Sequence, residues 1–405
     1  MLVGIVKESL SGERRVALTP HVLGNLTKIG LEVMLESGVG EEAGFPDSEY
    51  TELGAKVALS RSEVFSQADI ICQVRTIGAN PEAGASDLDL MRRDQVFVGH
   101  CEPLTDVGPI TTLAKTGVIT FAMELMPRIT RAQSMDVLSS QATIGGYKAV
   151  LLAAHTLPKM FPMMMTAAGT NAPAKVFIVG AGVAGLQAIA SAKRLGAVVT
   201  AYDVRSAVKE QVESLGGKFL EIELDAGESE DKGGYAKAMG EEFLKKQREA
   251  MTTAVAESDV VITTAAVPGK KAPVLITAAM IEGMRPGSVI IDLAAERGGN
   301  CEPTRSGETV KHGGATIIGP SNLPATVPFH ASQMYAKNVA TFLKEITNEG
   351  ELNLDLENEV IKGTMLTRGG EIVHAFAREV FGLDPLEPET ASSDSSGGET
   401  EGSKD

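Results

Sequence analysis

The sequence predicts an α/β protein with two doubly wound parallel-sheet domains and a cleft between them. Short, β-branched apolar runs alternate with helical patterns along most of the 405 residues, which is typical of parallel strands joined by crossover helices. One glycine-rich turn stands between such a strand and such a helix. The length suits two domains, and a hydrophobic content of 43% provides material for two cores.

The first series of elements fills the N-terminal third of the chain. Apolar runs predict strands at 2–6, 32–36, 69–74 and 95–100. Helical patterns predict the connecting helices near 20–29, 60–67 and 87–92. This alternation indicates the first parallel sheet.

The second series has cleaner patterns and begins at residue 175. Its strands are predicted at 175–179, 198–203, 218–222, 260–265, 289–294 and 316–319. Its helices are predicted at about 183–195, from 206 onward and at 241–258. Ser206 is a candidate N-cap and Gly216 a candidate stop for the second of these helices. Strands with such crossovers indicate a second doubly wound sheet.

After residue 328 the pattern becomes helical and has no strand neighbour of its own. The apolar positions near one face are Met334, Val339, Phe342 and Ile346. We therefore expect this helix to pack on the first domain, which makes that domain discontinuous: 1–137 with 328–383, around a second domain at 138–327. Residues 384–405 hold seven acids and one lysine, and we expect a disordered acidic tail.

Composition excludes several classes of protein. The formal charge of −16 argues against a nucleic-acid partner, because phosphates require a basic surface. The three cysteines and the histidines have neither disulfide nor metal-ligand spacing, which favours a reducing cytosol and no metal. No stretch supplies the roughly 20 apolar residues that a membrane span needs, and no signal-peptide pattern is present. We expect a cytoplasmic chain without a span of its own.

The glycine-rich turn has the pattern G-x-G-x-x-G. Gly180 permits the tight turn, Gly182 lets the backbone approach a pyrophosphate, and Gly185 allows close packing of helix on strand. Val183 and Ala184 complete the turn at the N-terminus of the helix. The pattern predicts a Rossmann-like, dinucleotide-binding domain.

Further residues of this predicted site lie at the ends of later strands. Asp203 follows the turn by about 20 residues, where a carboxylate binds adenosine ribose hydroxyls and repels a 2′-phosphate. This favours NAD(H), although Arg205, beyond Val204, is of the type that accommodates such a phosphate. Ligands bind at the carboxyl ends of parallel strands, so the end of the strand at 260–265 is predicted to contribute Ala266, Val267 and Pro268.

A polar insertion at 223–242 separates a strand from its next helix. Gly233, Gly234 and Gly240 surround Tyr235 in this segment. A loop of this length is usually functional or disordered, so it predicts either a lid that closes on nucleotide or partner, or a mobile acidic surface loop.

The stretch "MPRITRAQSMDVLSSQA", residues 126–142, matches no common catalytic signature. Its polar residues are typical of a capped helix start, and Asp136 and Ser139 share one helix face at i,i+3 spacing. Its position between the two predicted domains also favours a role in lining their cleft.

Several stretches resemble the NAD(H)-binding domain I of proton-translocating NAD(P)+ transhydrogenase. They include "PMMMTAAGTNAPAKVFIVGAGVAGLQAIASAKRLGAVVTAYDVR", "GGYAKAMGEEF", "DLAAERGGNC" and "VPFHASQMYAKNV", and the likeness extends from "GIVKE" to about Arg378. The resemblance implies reversible hydride transfer between NADH here and NADP+ on a partner domain III. It also implies coupling to proton translocation by a membrane domain II, a homodimer, and a peripheral place on the cytoplasmic face of the inner membrane.

The same resemblance implies roles for individual residues. Arg128, Gln133, Asp136 and Ser139 would surround the nicotinamide, and Tyr235 would close over the bound nucleotide. Direct hydride transfer requires the reacting carbons within about 3–3.5 Å of each other, so such residues would hold the ring rather than transfer protons.

Two alternatives remain open from the sequence. The first is the related alanine dehydrogenase, for which the resemblance matches Arg15 and His100. Its lysine position matches Arg75 and its aspartate position Glu296, and a bulkier fixed cation is a poor replacement for a catalytic lysine. The second is a non-catalytic NAD-binding sensor, which would have no use for residues 126–142.

Overall fold

The structure is a computed structural model, and it describes residues 1–222, 241–267 and 269–386. Three predictions lie outside the described residues: nearly all of the loop 223–242 with Tyr235, Pro268, and the tail beyond residue 386.

The N-terminal third of the chain alternates strands and helices. The strands are β1 (Leu2–Ile5), β2 (Glu32–Glu36), β3 (Lys56–Ala58), β4 (Ile70–Arg75), β5 (Val96–His100) and β6 (Ile119–Ala122). The helices are α1 (Pro20–Thr27), α2 (Asp47–Thr51), α3 (Arg61–Gln67) and α4 (Val107–Lys115). The predicted strands are confirmed. The short strands β3 and β6 were not predicted. The predicted helix at 87–92 is instead a 3-10 helix, Ala85–Leu90.

The middle of the chain contains the second series. The strands are β7 (Met164–Thr166), β8 (Gly169–Asn171), β9 (Lys175–Val179), β10 (Val198–Tyr202), β11 (Lys218–Phe219), β12 (Val260–Thr263), β13 (Val289–Asp292), β14 (Thr309–His312) and β15 (Ala315–Ile318). The helices are α5 (Val137–Thr156), α6 (Val183–Arg194), α7 (Lys209–Ser214), α8 (Glu241–Ala256) and α9 (Ala278–Glu282). Ser206 is not an N-cap, because it begins a 3-10 turn that follows Arg205. Gly216, with a φ of +78°, does stop the helix.

The C-terminal region consists of short elements around one long helix. The strands are β16 (Thr347–Asn348), β17 (Glu351–Leu352), β18 (Met365–Arg368) and β19 (Glu371–Ile372). The helices are α10 (Pro328–Ile346), α11 (Glu359–Thr364) and α12 (Ala375–Val380). The apolar face of α10 buries Val339, Phe342 and Ile346 in the same core as β1 and β4.

Two mostly parallel sheets organise the described residues, which confirms the predicted fold class. The first has the order β19-β18-β6-β5-β4-β1-β2-β3, and only β18 and β19 pair antiparallel. The second has the order β11-β10-β9-β12-β13-β15-β14, and only β14 pairs antiparallel. Central strands such as β12 and β13 are buried along their whole length, since helices cover both faces.

Helix α5 connects the two sheets. It packs on α6 of the second sheet and on α10, which belongs to the core of the first. A Cβ added to Gly146 would collide with the carbonyl oxygen of Ala184, so glycine is needed where α5 crosses the glycine-rich turn. The N-terminus of α5 therefore lies where the two sheets face each other.

Candidate functional site

The glycine-rich turn has the geometry that its pattern predicts. Gly180 has a φ of +98°, and Gly182 is the N-cap of α6. A Cβ at Gly185 would collide with the carbonyl oxygen of Gly180, whereas a Cβ at Gly182 would meet nothing within 4 Å. One glycine thus permits the close packing of α6, and another leaves room for a ligand at the helix N-terminus.

Asp203 lies at the end of β10 beside this turn, and Arg205 fills its acceptor positions. Its Oδ2 accepts the backbone N–H of Ala181 at 2.8 Å and Nη2 of Arg205 at 3.0 Å. Its Oδ1 accepts the backbone N–H and Nε of Arg205 at 2.9 and 3.0 Å. A carboxylate has about four acceptor sites, so ribose hydroxyls gain access to them only if Arg205 shifts.

The loop after β12 forms the opposite edge of the turn. Thr264 donates its hydroxyl to the carbonyl oxygen of Gly180 at 3.0 Å. The amide of Asn300 brackets Ala265, accepting its N–H at 3.0 Å and donating to its carbonyl at 2.8 Å. The predicted contacts Ala266 and Val267 follow directly and line the cleft described next.

A cleft of about 440 Å³ separates the carboxyl ends of the two sheets. The first sheet and its loops contribute Arg15, Arg75, His100, Glu102, Glu124 and Arg128. The second sheet and its loops contribute Ala184, Thr264, Ala266, Val267, Leu293, Glu296 and Arg297. Helix α5 forms part of the wall with Leu138, Gln141, Ala142 and Gly145. The cleft is open to a ligand that extends from the glycine-rich turn.

The stretch 126–142 lies beside this cleft as a 3-10 helix followed by the start of α5. Arg128 lines the cleft, and Gln133 is exposed on the 3-10 helix. Asp136 is the N-cap of α5: it accepts the backbone N–H of Ser139 at 2.9 Å and the Ser139 hydroxyl at 2.5 Å. The structure thus brings the side chains of Asp136 and Ser139 together, and the backbone N–H of Asp136 donates to the carbonyl oxygen of Gln133 at 3.3 Å.

Arg15 is enclosed in a buried polar network that the sequence did not predict. Its Nε and Nη2 donate to the Glu13 carboxylate at 2.8 and 2.6 Å. Its Nη1 donates to Gln141 at 2.8 Å, and Nη2 also donates to Asn322 at 3.0 Å. Although burial alone would raise it, the bonds and charge of Arg15 lower the pKa of Glu13 to about 2. The only signal in the sequence was the closeness of Glu13 to Arg15.

His100 and Arg75 end adjacent strands of the first sheet. The His100 ring stacks on Tyr335 with centroids 5.6 Å apart, and its Nδ1 lies 3.8 Å from Glu124. Burial alone would raise the pKa of Glu124, but the hydrogen bond and charge of His100 and nearby backbone N–H groups hold it below the usual value. Arg75 lies 3.5 Å from Glu13, so each of the two predicted residues lies beside a carboxylate of its own domain.

An ion pair that was also not predicted joins the two sides of the cleft. Arg297, after β13, donates to Glu102, after β5, at 2.9 Å. Glu102 has a φ of +47°, a conformation that costs energy for a residue with a side chain. Beside it, Leu104 contacts the position of Gly269 in the opposite loop. The two loops are therefore in contact across the cleft.

Comparison with known proteins identifies the family. The model "Alanine dehydrogenase/PNT, N-terminal domain" matches residues 4–145, and "Alanine dehydrogenase/PNT, C-terminal domain" matches residues 149–375. The separately encoded first portion of the NAD(P) transhydrogenase alpha subunit of Rhodospirillum rubrum is 48% identical over 377 residues, which cover 92% of this chain and 98% of that protein. The chain belongs to the family of NAD(P) transhydrogenase alpha subunits.

Other members and a related enzyme agree with this assignment. The corresponding alpha-subunit protein of Rickettsia prowazekii is 42% identical over 94% of this chain and 98% of its own length. A solved transhydrogenase structure from Sinorhizobium meliloti has a TM-score of 0.80, with 42% identity over 93% of this chain and all of that chain. A solved L-alanine dehydrogenase has a TM-score of 0.76 at 25% identity, over 94% of this chain and 99% of that chain.

Within the described residues of this transhydrogenase family member, no helix is long and apolar enough to cross a membrane.

Proposed function

We propose that the chain is the NAD(H)-binding subunit of a proton-translocating transhydrogenase. It would exchange a hydride between NADH in the cleft and NADP+ on a partner domain III, while a membrane domain II couples the exchange to proton movement. The observation that carries this proposal is the position of the turn 180–185, beside a cleft whose wall includes Arg128, Leu138, Gln141 and Ala142 of the stretch 126–142. The family membership supports it.

The residues around the turn fit a dinucleotide. The open space at Gly182 and the N-terminus of α6 suit a pyrophosphate, and the backbone of Val183 and Ala184 provides donors there. Asp203, with Val204 and Arg205, would contact the adenosine ribose. Ala266 and Val267 line the cleft on the path towards α5, and Pro268 follows them in sequence.

Bound NADH would supply the hydride, and the chain would supply orientation. Asp136 accepts two bonds from Ser139 at the start of α5, so this pair has one fixed arrangement at the helix N-terminus. In the proposed site these two residues and Arg128 hold the carboxamide, and exposed Gln133 reaches towards domain III. Orientation of this kind contributes to the rate because reacting atoms must approach in a near-attack geometry.

The alternative activity, alanine dehydrogenation, has less support from the geometry. Binding of a substrate carboxylate requires an arginine with free N–H groups. Arg15 instead directs its side chain to Glu13, Gln141 and Asn322 and is only 5% exposed.

We also propose a homodimer held on the cytoplasmic side of the membrane by its partner subunits. The hairpin β7–β8 is exposed along both strands, and Met163 and Met165 beside and within it are 58% and 75% exposed. An apolar groove of about 760 Å³, lined by Leu157, Phe161 and Leu195 among others, lies at its base. A hairpin and a groove on one surface suit a two-fold interface.

Mixing the chain with domain III of a transhydrogenase tests the proposal. With NADH, NADP+ and acetylpyridine adenine dinucleotide present, we expect rapid cyclic reduction of the analogue. Oxidation of NADH by the chain alone with pyruvate and ammonia would instead support the alanine dehydrogenase alternative. NADH binding without either reaction would support a nucleotide sensor.

The variant Gln133→Asn tests the proposed hydride site. Since Gln133 is exposed, we expect NADH affinity to be unchanged. The rate of the cyclic reaction should fall at least tenfold, because a displacement of the reacting atoms by about 1 Å can slow a reaction about 100-fold. Gln67→Asn, at another exposed glutamine, is the control. An unchanged cyclic rate would remove Gln133 from the transfer step.

A further inference from the structure

Arg15 lies in the cleft, yet the proposed nucleotide site and hydride step do not use it. Its side chain makes four hydrogen bonds of 2.6–3.0 Å to three segments of the chain. The partners are Glu13 on its own loop, Gln141 on α5 and Asn322 before α10. A guanidinium with this many short bonds is fixed in place, since the planar fork loses little freedom per bond formed.

The network rigidly joins the loop after β1 to the loop before α10. Asn322 accepts from Arg15 at 3.0 Å and donates to Glu13 at 2.9 Å. Its φ of +46° and ψ of 42° are left-handed, a conformation that asparagine tolerates better than most residues. Both members of the ion pair therefore hold the side chain of this left-handed residue.

Gln141 extends the same network into α5. Its Oε1 accepts from Arg15, and its Nε2 donates to the carbonyl oxygen of Ala331 in α10 at 3.1 Å. Gln141 lies five residues after Asp136 on a continuous helix, and Gly146 is packed on the dinucleotide turn another five residues on. A helix rises about 1.5 Å per residue with little flexibility, so these two anchors set the position of its first turn.

We propose that Arg15 is a positioning residue for hydride transfer. Through Gln141 it fixes the first turns of α5, and with them the Asp136–Ser139 pair, against the turn 180–185. In this role Arg15 acts through Gln141 and not by contact with the reacting groups. The inference rests on the proposed function, because it concerns the geometry of the nicotinamide site.

Single and double variants of the full chain test the proposal with domain III. We expect Arg15→Met and Gln141→Met each to slow cyclic hydride exchange at saturating NADH at least tenfold, with the Kd of NADH changed less than about threefold. The double variant should be within about twofold of the slower single variant, because both changes remove the same contact. An unchanged rate, or losses that multiply in the double variant, would overturn the proposal.

A matched control separates positioning from general stability. Arg61 forms a comparable fork with Asp87, at 2.6 Å for both bonds, in the first domain and does not line the cleft. We expect Arg61→Met to lower the Tm while the folded fraction keeps the wild-type exchange rate. Equal losses of exchange in Arg61→Met and Arg15→Met would show that Arg15 acts only through stability.

Two further outcomes are distinguishable. If the wild-type chain binds NADH but shows no exchange with domain III, the proposed function fails, and the positioning role of Arg15 fails with it. If Arg15→Met does not fold, Gln141→Met carries the test alone, because it removes the contact without leaving Glu13 unpaired. Arg15→Lys, which keeps the charge but not the fork, should recover only part of the exchange rate.

Discussion

At the level of single residues, Asp203 and Arg205 set the charge of the proposed ribose site. The guanidinium of Arg205 covers both oxygens of a carboxylate that is only 7% exposed at its side chain. The site therefore has a repulsive group for a 2′-phosphate and, two residues away, an attractive one. In the proposed site, discrimination between NADH and NADPH would depend on the balance of the two groups.

We predict that Arg205→Ala increases the preference for NADH over NADPH. Removal of the guanidinium frees Asp203 for ribose hydroxyls and deletes the cation that a 2′-phosphate would contact. The ratio of the Kd for NADPH to the Kd for NADH should rise about tenfold. A change of this size corresponds to the free energy of one charge-assisted hydrogen bond. Nucleotide fluorescence measures both constants, and the chain contains no tryptophan to interfere.

Arg305→Ala is the matched control, since that arginine is 71% exposed at its side chain and does not line the cleft. Tighter binding of NADPH by Arg205→Ala would contradict the prediction.

A second residue-scale prediction concerns Glu8, which caps the end of β4. Its carboxylate accepts the backbone N–H of Val74 at 2.6 Å and of Arg75 at 3.0 Å. Burial, with the neighbouring charge of Glu13, raises the pKa of Glu8 to about 8. Because the folded state holds this proton more tightly than the unfolded state, the stabilisation is complete below about pH 4.5 and is lost as the pH rises through about 8.

We therefore expect Glu8→Gln, which cannot titrate, to gain stability relative to wild type as the pH rises from 5 to 8. Urea unfolding at several pH values measures the difference. Glu82→Gln, at an exposed position of the same domain, should show no such trend. A constant difference between Glu8→Gln and wild type would show that Glu8 does not titrate in this range.

The sequence predicted the local geometry of the site better than the hydrogen bonds between distant segments of the chain. Gly180 and Gly185 could be predicted because a tight turn and a close approach exclude every side chain but hydrogen. The contacts of Arg15 with Gln141 and Asn322 could not, because they join positions 126 and 307 residues apart. No periodicity or local spacing records a pairing that only the tertiary fold creates.

At the level of elements, prediction worked where hydrophobic pattern and length agreed. The strands β9, β10, β12 and β13 are mostly apolar and mostly buried, and all four were found. The strand β3 has three residues and includes an exposed lysine, so its pattern is too weak to detect. Ser206 has the residue type of an N-cap, but the chain turns through a 3-10 segment there and its side chain makes no cap bond.

An element-scale prediction concerns the loops that meet across the cleft. The pair Glu102–Arg297 joins the loop after β5 to that after β13, and its side chains are about one third exposed. Such pairs contribute about 0–1 kcal/mol, so Glu102→Gln should increase the dissociation rate of NADH by at most about fivefold. Stopped-flow displacement of NADH measures this rate.

The increase should diminish as salt screens the wild-type pair, with a Debye length of about 10 Å at 0.1 M. Arg297→Gln should increase the dissociation rate of NADH by the same factor as Glu102→Gln. The double variant should show no larger increase. Additive effects of the two variants would show that the residues act separately. Glu308→Gln, which removes an exposed pair with Arg305, is the control.

At the level of the whole molecule, the chain leaves the first sheet and later returns to it. Helix α10 packs on α1, and β18 pairs with β6, so residues after 328 complete the sheet that the N-terminal third begins. The sequence predicted that the helix after residue 328 packs on the first domain, because that helix has no strand neighbour of its own. The antiparallel strands β18 and β19, at one end of the sheet order, were not foreseen, because strands of four and two residues are too short to show a pattern.

The exposed hairpin β7–β8 is the feature of the whole molecule that a single chain leaves unexplained. All six strand residues are exposed, and no hydrophobic core cluster of the described residues includes them. An isolated two-stranded hairpin is at best marginally stable in water, so a second surface must support it. Flexible methionine side chains are well suited to filling such an irregular apolar surface.

We predict that replacing Met163 and Met165 by serine converts a dimer into a monomer. Burial of two such side chains contributes about 1.5–3 kcal/mol each per protomer, enough at a two-fold interface to raise the dimer Kd by several orders of magnitude. Sedimentation velocity over a range of concentrations measures the change. The control is Leu59→Ser, because Leu59 is 91% exposed and lies outside the hairpin and groove. A wild-type monomer would refute the homodimer, and a dimer unaffected by the serine variants would move its interface away from the hairpin.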